Sequence, residues 1–131
     1  MYGKQKTVVV TGASQGIGGS VTSTTATSAD NRIAGVPASI PMITKGGLDA
    51  ITVSLASEYA KNSIRFNAVA PGVVDTPLHS NTPKDVMRTL SPMGTISDSK
   101  DIADAVVYLT EARRVTREVL HVDGGAHGGR W

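Results

Sequence analysis

A short apolar run leads directly into a glycine-rich turn near the start of the sequence. The run, residues 6–11 (KTVVVT), is β-branched and shows no polar alternation, which is typical of a strand buried on both faces of a parallel sheet. The turn, residues 11–18 (TGASQGIG), holds Gly12, Gly16 and Gly18. Glycines after a buried strand let backbone N–H groups approach a pyrophosphate, although an ordinary tight turn has the same local pattern.

The region after this turn departs from what a dinucleotide site requires. Such a site needs a helix after the glycines, then a second strand with an acidic residue about 20 residues on that meets the ribose hydroxyl. Here Gly19 alone separates the turn from residues 20–28 (SVTSTTATS), a hydroxyl-rich segment that favours a strand. A parallel crossover takes about a dozen residues or more. The adenosine half of the site is therefore incomplete in this chain, which we expect to form a single domain, residues 1–131.

The clearest helix is predicted from about Met42 to Ala60, after a loop at residues 30–41 that contains glycine and proline. We expect it to end near Asn62, which tolerates the left-handed conformation. Spacings of three and four predict a core-facing stripe of Leu48, Ile51, Leu55 and Tyr59. A second face of small residues could meet another helix of the chain or a second subunit; its members are Gly47, Ala50, Ser54 and Ser57.

Two strands and two helices are predicted in the second half of the chain. Alternating residues indicate a strand at residues 64–70 that stops at Pro71, and a last strand covers residues 119–122 before an Asp-Gly-Gly turn. Thr82 resembles the N-cap of a short lid helix that runs through Leu90. A further helix follows Asp98 and should face the core through Ile102, Ala105, Val106 and Leu109. The alternation of strands and helices predicts the α/β class, with the two strands as neighbours.

The composition of the chain argues against several kinds of functional site and partner. The absence of cysteine excludes disulfides, thiolate metal sites and cysteine nucleophiles. With a net charge of +2, the close arginines Arg113, Arg114 and Arg117 fit a solvated helix end better than a nucleic-acid surface. The lack of cysteine also favours a cytoplasmic setting. No apolar run approaches the roughly 18 residues of a membrane span, so we expect no membrane partner. The scattered histidines predict surface or strand-packing roles and no metal site; they are His79, His121 and His127.

Four segments, in this order, resemble the short-chain dehydrogenase/reductase family. They are TGASQGIG (residues 11–18), TKGGLDAITVSLASEYA (44–60), RFNAVAPGVVDTP (65–77) and EVLHVDGG (118–125). The resemblance implies a reduced Rossmann-like parallel sheet with helices on both faces. It also implies NAD or NADP as cofactor, a small carbonyl or alcohol as substrate, and a homodimer or homotetramer. Several strands and helices that the family normally has after the glycine turn are absent from this sequence, so the resemblance implies an internal deletion near residues 18–20.

The resemblance assigns roles to individual residues. The turn would contact the cofactor phosphates through Gly12, Ser14, Gln15, Gly16, Ile17 and Gly18. Lys45 would hold the nicotinamide ribose hydroxyls and assist a tyrosine one helical turn earlier, but Pro41 occupies that position. Proline has no titratable hydroxyl for general acid or base catalysis. Ser28, thirteen residues before Pro41, would orient the substrate oxygen.

The loop at residues 71–77 resembles the family segment at the carboxamide end of nicotinamide. Pro71, Gly72, the backbone of Val74 and the hydroxyl of Thr76 would contact the cofactor there. Two functions remain open from the sequence. One is an NAD(P)-dependent oxidoreductase of impaired activity, and the other is a non-catalytic remnant that binds nucleotide or mediates oligomerisation. The helix predicted at residues 42–60 is our choice for a dimer contact.

Overall fold

The computed structural model describes residues 39–129. Its main elements are α1 (Ser39–Glu58), β1 (Ala68–Pro71), α2 (Lys84–Arg88), α3 (Ser99–Glu111) and β2 (Val119–Val122). Short 3-10 turns lie at Ala60–Asn62, Pro77–His79 and Ala126–Gly128. The strands predicted at residues 6–11 and 20–28 and the glycine turn at residues 11–18 lie outside the described residues.

Strands β1 and β2 form a parallel pair, with Ala68 opposite Val119 and Pro71 opposite Val122. Parallel neighbours need a crossover connection, and α3 lies in the segment that joins them. Helix α3 packs against both strands, while α1 contacts β1. The predicted α/β class and the predicted adjacency of these two strands are confirmed.

The core lies between α3 and the strand pair. It consists of Val69, Val74, Ile102 and Leu109, with Ala105 and Val106 packed against it. The core-facing side predicted for α3 is therefore confirmed. Because successive strand residues point to opposite faces, Ala68 and Ala70 face away from Val69 and its α3 partners. Both alanines are buried, which assigns α1 to the second face of β1.

Helix α1 differs from its prediction at both ends and in its buried face. It begins at Ser39 and includes Pro41 in its first turn, where the missing N–H of proline would have no helical partner. It ends at Glu58, and the left-handed residue is Ser63, at φ 59°, rather than Asn62. No helix among residues 39–129 is long and apolar enough to span a bilayer.

The predicted core stripe of α1 is wrong at two of its four positions, whereas Leu48 and Leu55 are half-buried. Ile51 is 51% exposed and Tyr59 37% exposed, whereas Thr52 and Ala56 are buried. Small side chains one turn apart let the helix approach the alanines of β1 closely. The Thr52 hydroxyl tolerates burial because it donates to the Leu48 carbonyl oxygen at 2.7 Å.

Strand β1 is shorter than predicted, because side chains replace the strand ladder before Ala68. Arg65 bonds the end of α3, since its guanidinium donates to the carbonyl oxygens of Leu109 (2.7 Å) and Thr110 (2.8 Å). It also donates to the carbonyl oxygen of Val115 (2.9 Å), in the segment after the helix. Helix C-termini leave carbonyl groups without partners inside the helix, and Arg65 satisfies them. Asn67 accepts from the Glu118 N–H at 3.1 Å. The four residues of β1 are all buried.

Helices α2 and α3 differ in how their N-termini are capped. Helix α3 has Asp98 as its N-cap in a capping box: Asp98 Oδ1 accepts from the Asp101 N–H at 3.0 Å, and Asp101 Oδ2 accepts from the Asp98 N–H at 2.9 Å. Helix α2 begins at Lys84 with Pro83 at the N-cap position, so the prediction of Thr82 as N-cap is wrong. The Thr82 N–H instead closes the preceding turn on the His79 carbonyl at 3.0 Å.

Candidate cofactor site

Residues 71–77 leave the carboxyl end of β1 and turn across the end of β2. The Gly72 N–H donates to the Val122 carbonyl oxygen at 3.1 Å, which continues the strand pairing by one residue. A Cβ atom on Gly72 would lie 2.8 Å from Asp123 Cβ and 2.9 Å from Asp123 Cα. Glycine is therefore required here because the backbone of Asp123 packs against it.

Val74 forms a single parallel bridge with Ser97. The hydrogen bonds of this bridge join Ser97 to the residues on either side of Val74. The Asp75 N–H donates to the Ser97 carbonyl oxygen at 2.9 Å, and the Ser97 N–H donates to the Val73 carbonyl oxygen at 3.3 Å. Along an extended chain, the polar groups of successive residues point to opposite sides, so the N–H and C=O of Val74 point away from Ser97. The Val74 side chain is buried in the core and fixes this orientation.

The next two residues extend the loop toward α2. The backbone of Thr76 is extended (φ −138°, ψ 162°), and within the described residues its hydroxyl has no hydrogen-bond partner. Asp75 turns its carboxylate toward α2, where Lys84 Nζ donates to Asp75 Oδ2 at 2.7 Å. The loop thus presents the backbone groups of Val74 and the Thr76 hydroxyl, while Ser97 and Lys84 hold it in place.

Lys45 lies half-buried in the second turn of α1, four residues after Pro41. Both residues lie in α1, and the roles predicted for their positions stay predictions. Helix α1 contacts β1, from which the loop at residues 71–77 emerges. The other predicted site residues lie outside the described part of the chain; they are Gly12, Ser14, Gln15, Gly16, Ile17, Gly18 and Ser28.

A cluster of one buried carboxylate and two histidines at the end of β2 was missed in the sequence analysis. The Asp123 side chain is 2% exposed and accepts from the Gly125 N–H at 3.0 Å and the His127 N–H at 2.9 Å. His127 Nδ1 lies 3.1 Å from both carboxylate oxygens, and the His127 ring stacks on His121 with centroids 4.0 Å apart. His121 and His127 are therefore adjacent rather than scattered. The Asp-Gly-Gly sequence signals this turn, because aspartate side chains bond backbone N–H groups two residues on.

A groove of about 680 Å³ opens beside this cluster, lined by residues that include Ser97, Asp101, Asp104 and His121. The lining carboxylates already have partners. Asp101 belongs to the α3 capping box, and Asp104 pairs with Lys100 at 2.5 Å. Residues 39–129 contain no group of three or more histidine, aspartate or glutamate side chains arranged to hold a metal ion.

Known proteins are similar to this chain in both sequence and fold. The family model described as enoyl-(acyl carrier protein) reductase matches residues 7–127. The 3-oxoacyl-[acyl-carrier-protein] reductase of Bos taurus is 40% identical over 87 residues, which are 66% of this chain and 37% of that protein. Carbonyl reductase family member 4 of Xenopus laevis is 40% identical over 81 residues, 62% of this chain and 34% of that protein. The chain thus spans little more than a third of the length of these relatives.

Solved structures agree with these sequence matches. ElxO with NADP bound is 26% identical and superposes with a TM-score of 0.69 over 80% of this chain and 45% of its own. A short-chain dehydrogenase/reductase from Brucella melitensis, described as a glucose/ribitol dehydrogenase, is 28% identical with a TM-score of 0.69 over 79% of this chain and 43% of its own. The family match over residues 7–127 and the shared fold lead to one conclusion: this chain belongs to the short-chain dehydrogenase/reductase family.

Proposed function

We propose that this chain is an NAD(P)-dependent oxidoreductase of the short-chain dehydrogenase/reductase type. It would move a hydride between the nicotinamide ring and a small carbonyl or alcohol. The observation that carries the proposal is the loop at residues 71–77, which follows a buried parallel strand and keeps the Val74 backbone groups directed away from Ser97. Ligands of α/β proteins bind outside the carboxyl ends of the parallel strands, and this loop lies there.

The groups on this loop fit a nicotinamide carboxamide. A carboxamide has an N–H donor and a C=O acceptor, and Val74 offers one acceptor and one donor from a single residue. The Thr76 hydroxyl, two residues on, can accept or donate a further hydrogen bond. Because the Val74 side chain is buried, the backbone groups are already oriented before a ligand binds. The glycine turn at residues 11–18 remains our prediction for the pyrophosphate.

The chemical step would depend on Lys45 in α1 and on Ser28. When bound, the cofactor supplies or accepts the hydride. Lys45 would hold the ribose hydroxyls through its ammonium group, and Ser28 would orient the substrate oxygen. Pro41 cannot exchange a proton with that oxygen because it carries no hydroxyl. Loss of a general acid or base typically lowers a rate by about 10²- to 10⁴-fold, so we expect weak turnover with cofactor binding retained.

The first test is a titration of the purified chain with NADH and NADPH, followed by nicotinamide fluorescence and by calorimetry. We expect saturable binding that weakens in Lys45→Ala and Gly16→Val. A matched control is Lys61→Ala, which removes an exposed lysine at the far end of the α1 region. Absence of binding at millimolar concentrations of both nucleotides would overturn the proposal.

A second experiment separates chemistry from binding. We expect Pro41→Tyr to raise carbonyl reduction, by up to about 10²- to 10⁴-fold if the new hydroxyl reaches the substrate oxygen. Pro41→Phe is the matched control, because it supplies the same ring without the hydroxyl. Equal rates for the tyrosine and phenylalanine variants, with nucleotide binding intact, would favour the non-catalytic alternative.

That alternative is a nucleotide-binding or oligomerisation module, and the surface of α1 favours it. The small residues Gly47, Ala50, Ser54 and Ser57 are exposed, and Ile40 and Ile43 nearby are more than 70% exposed. Apolar surface of this kind is typical of protein contacts, and small residues let helices approach closely. We propose a homo-oligomer formed through α1. Ala50→Arg should lower the mass measured by sedimentation, whereas an unchanged mass would exclude this face.

A further inference from the structure

One ion pair joins the candidate cofactor loop to the short helix that follows it. Lys84 Nζ, in the first turn of α2, lies 2.7 Å from Asp75 Oδ2. The partners are nine positions apart in the chain, and the intervening segment contains the 3-10 turn Pro77–His79. The contact therefore closes a loop whose ends are the cofactor-facing segment and α2.

Helix α2 has few other attachments. It has five residues, and isolated helices shorter than about 12 residues are marginal in water. Met87 is its buried residue, whereas Val86 is exposed and Arg88 pairs with Asp85 inside the helix. Among the residues that the structure describes, Lys84 supplies the side-chain bond from α2 to a residue outside the helix. The position of α2 thus rests on Met87, on the pair with Asp75 and on the chain that follows the helix. That chain is held to the turn after β2, because the Met93 N–H donates to the Gly124 carbonyl oxygen at 3.2 Å.

Asp75 is placed to pass this constraint to the cofactor-facing groups. It stands between Val74 and Thr76, and its own N–H is fixed to the Ser97 carbonyl at 2.9 Å. Its backbone and its carboxylate are therefore tied to different elements. A change in where α2 lies would act directly on the peptide groups that flank Asp75.

We propose that Asp75 and Lys84 are positioning residues that fasten α2 to the loop at residues 71–77 and thereby set the cofactor affinity of Val74 and Thr76. Neither residue contacts the cofactor in this scheme. The pair is solvent-exposed, with side chains 61% and 49% accessible for Lys84 and Asp75, so salt screens it. Cofactor affinity should consequently fall as ionic strength rises. This inference rests on the proposed function for its effect on affinity.

A charge swap tests the pair. The variants are Asp75→Lys, Lys84→Asp and the double variant that carries both. Each single variant should speed hydrogen exchange at the bonded amides of Met87 and Leu90 by about two- to five-fold and weaken NADPH binding by a similar factor, the range of an exposed ion pair. The double variant should restore both values and the salt dependence.

The matched control is the second exposed ion pair of α2, between Arg88 Nη1 and Asp85 Oδ1 at 3.2 Å. It does not reach the loop, so Asp85→Lys should leave NADPH affinity unchanged. Affinity that the double swap fails to restore, or that Asp85→Lys lowers equally, would overturn the inference. If the unmodified chain binds no nucleotide, the proposed function and the effect on affinity both fail. Exchange that the double variant restores would then still support the fastening of α2, and unchanged exchange would reject it.

Discussion

The two parallel strands end at the same edge of the sheet, yet the segments that follow them use their polar groups in opposite ways. After β1, residues 71–77 direct the N–H and C=O of Val74 away from the protein's own bridge with Ser97. After β2, Asp123 turns inward, and its carboxylate accepts from the backbone of Gly125 and His127. One segment leaves backbone groups outside its pairing with Ser97, and the other uses its carboxylate within the fold.

The contact between the two segments explains why both are needed. Gly72 packs against the backbone of Asp123 so closely that a methyl group at Gly72 would meet Asp123 Cβ at 2.8 Å. The turn after β2 therefore acts as a support in direct contact with the loop after β1. Substitutions in the support should change stability, and substitutions in the loop should change ligand affinity.

The largest effect is expected from Asp123→Ala. The buried carboxylate accepts two backbone N–H groups and faces His127 Nδ1, and its loss leaves these donors without that acceptor. We expect a decrease of about 3 kcal/mol in the free energy of unfolding, measured by urea titration. Asp85→Ala, at an exposed aspartate, should change it by less than about 0.5 kcal/mol. Equal effects of the two variants would refute the role of Asp123 as a support.

A somewhat smaller loss is expected from Gly72→Ala, because the added methyl group must displace Asp123. The expected decrease in unfolding free energy is about 2 kcal/mol, the scale of overpacking in a close contact. Gly46→Ala is the control, since nothing lies within 4 Å of a Cβ at that position in α1. It should stabilise the chain by roughly 0.5–1 kcal/mol. An unchanged free energy of unfolding in Gly72→Ala would mean that the two segments move apart at little cost.

The loop should respond differently, through affinity. Thr76→Val keeps the shape of the side chain and removes the hydroxyl, so the dissociation constant for NADPH should rise by about three- to ten-fold, equivalent to one hydrogen bond. Unfolding by urea should be unchanged. Thr82→Val, at an exposed threonine of the same connection, should leave the dissociation constant as it is. A loss of stability in Thr76→Val would contradict the division between loop and support.

The smallest effect is expected from the ion pair of Lys100 with Asp104, a residue that lines the groove beside Asp123. A hydrogen bond from Lys100 to Asp104, reinforced by the charge of Asp104, raises the pKa of Lys100 above 10.5. The stabilisation of the folded state by this pair is fully present below pH 10.5, and it is lost as the pH rises through the pKa of Lys100 in the folded state. Because both side chains are exposed, thermal midpoints of the chain and of Asp104→Asn should differ only slightly, and the difference should vanish above the pKa. A difference that grows with pH would contradict this assignment.

Sequence reasoning succeeded where local chemistry decides the structure. Asp98 and Asp101 carry the spacing of a capping box, and α3 begins between them with Ile102 and Leu109 buried. It was less successful for α1, where Ile51 is exposed and Thr52 buried. A helix with apolar residues on more than one face has no unique core side in its own sequence, so the alanines of β1 selected the side that packs. The roles predicted for Ser28, Lys45 and the glycine turn remain predictions.

The sequence by itself determined the α/β class, the strand at Val119–Val122, the start of α3 and the segments that resemble the family, because each depends on residues close together in the chain. Tertiary structure alone decided three other features. These are the contact of Gly72 with Asp123, the bonds from Arg65 to the end of α3, and the stack of His121 on His127. The first two join residues more than 40 positions apart, and the third depends on how the chain turns after β2. Such contacts form when the parallel strands align and α3 closes over them, and no local pattern specifies that alignment.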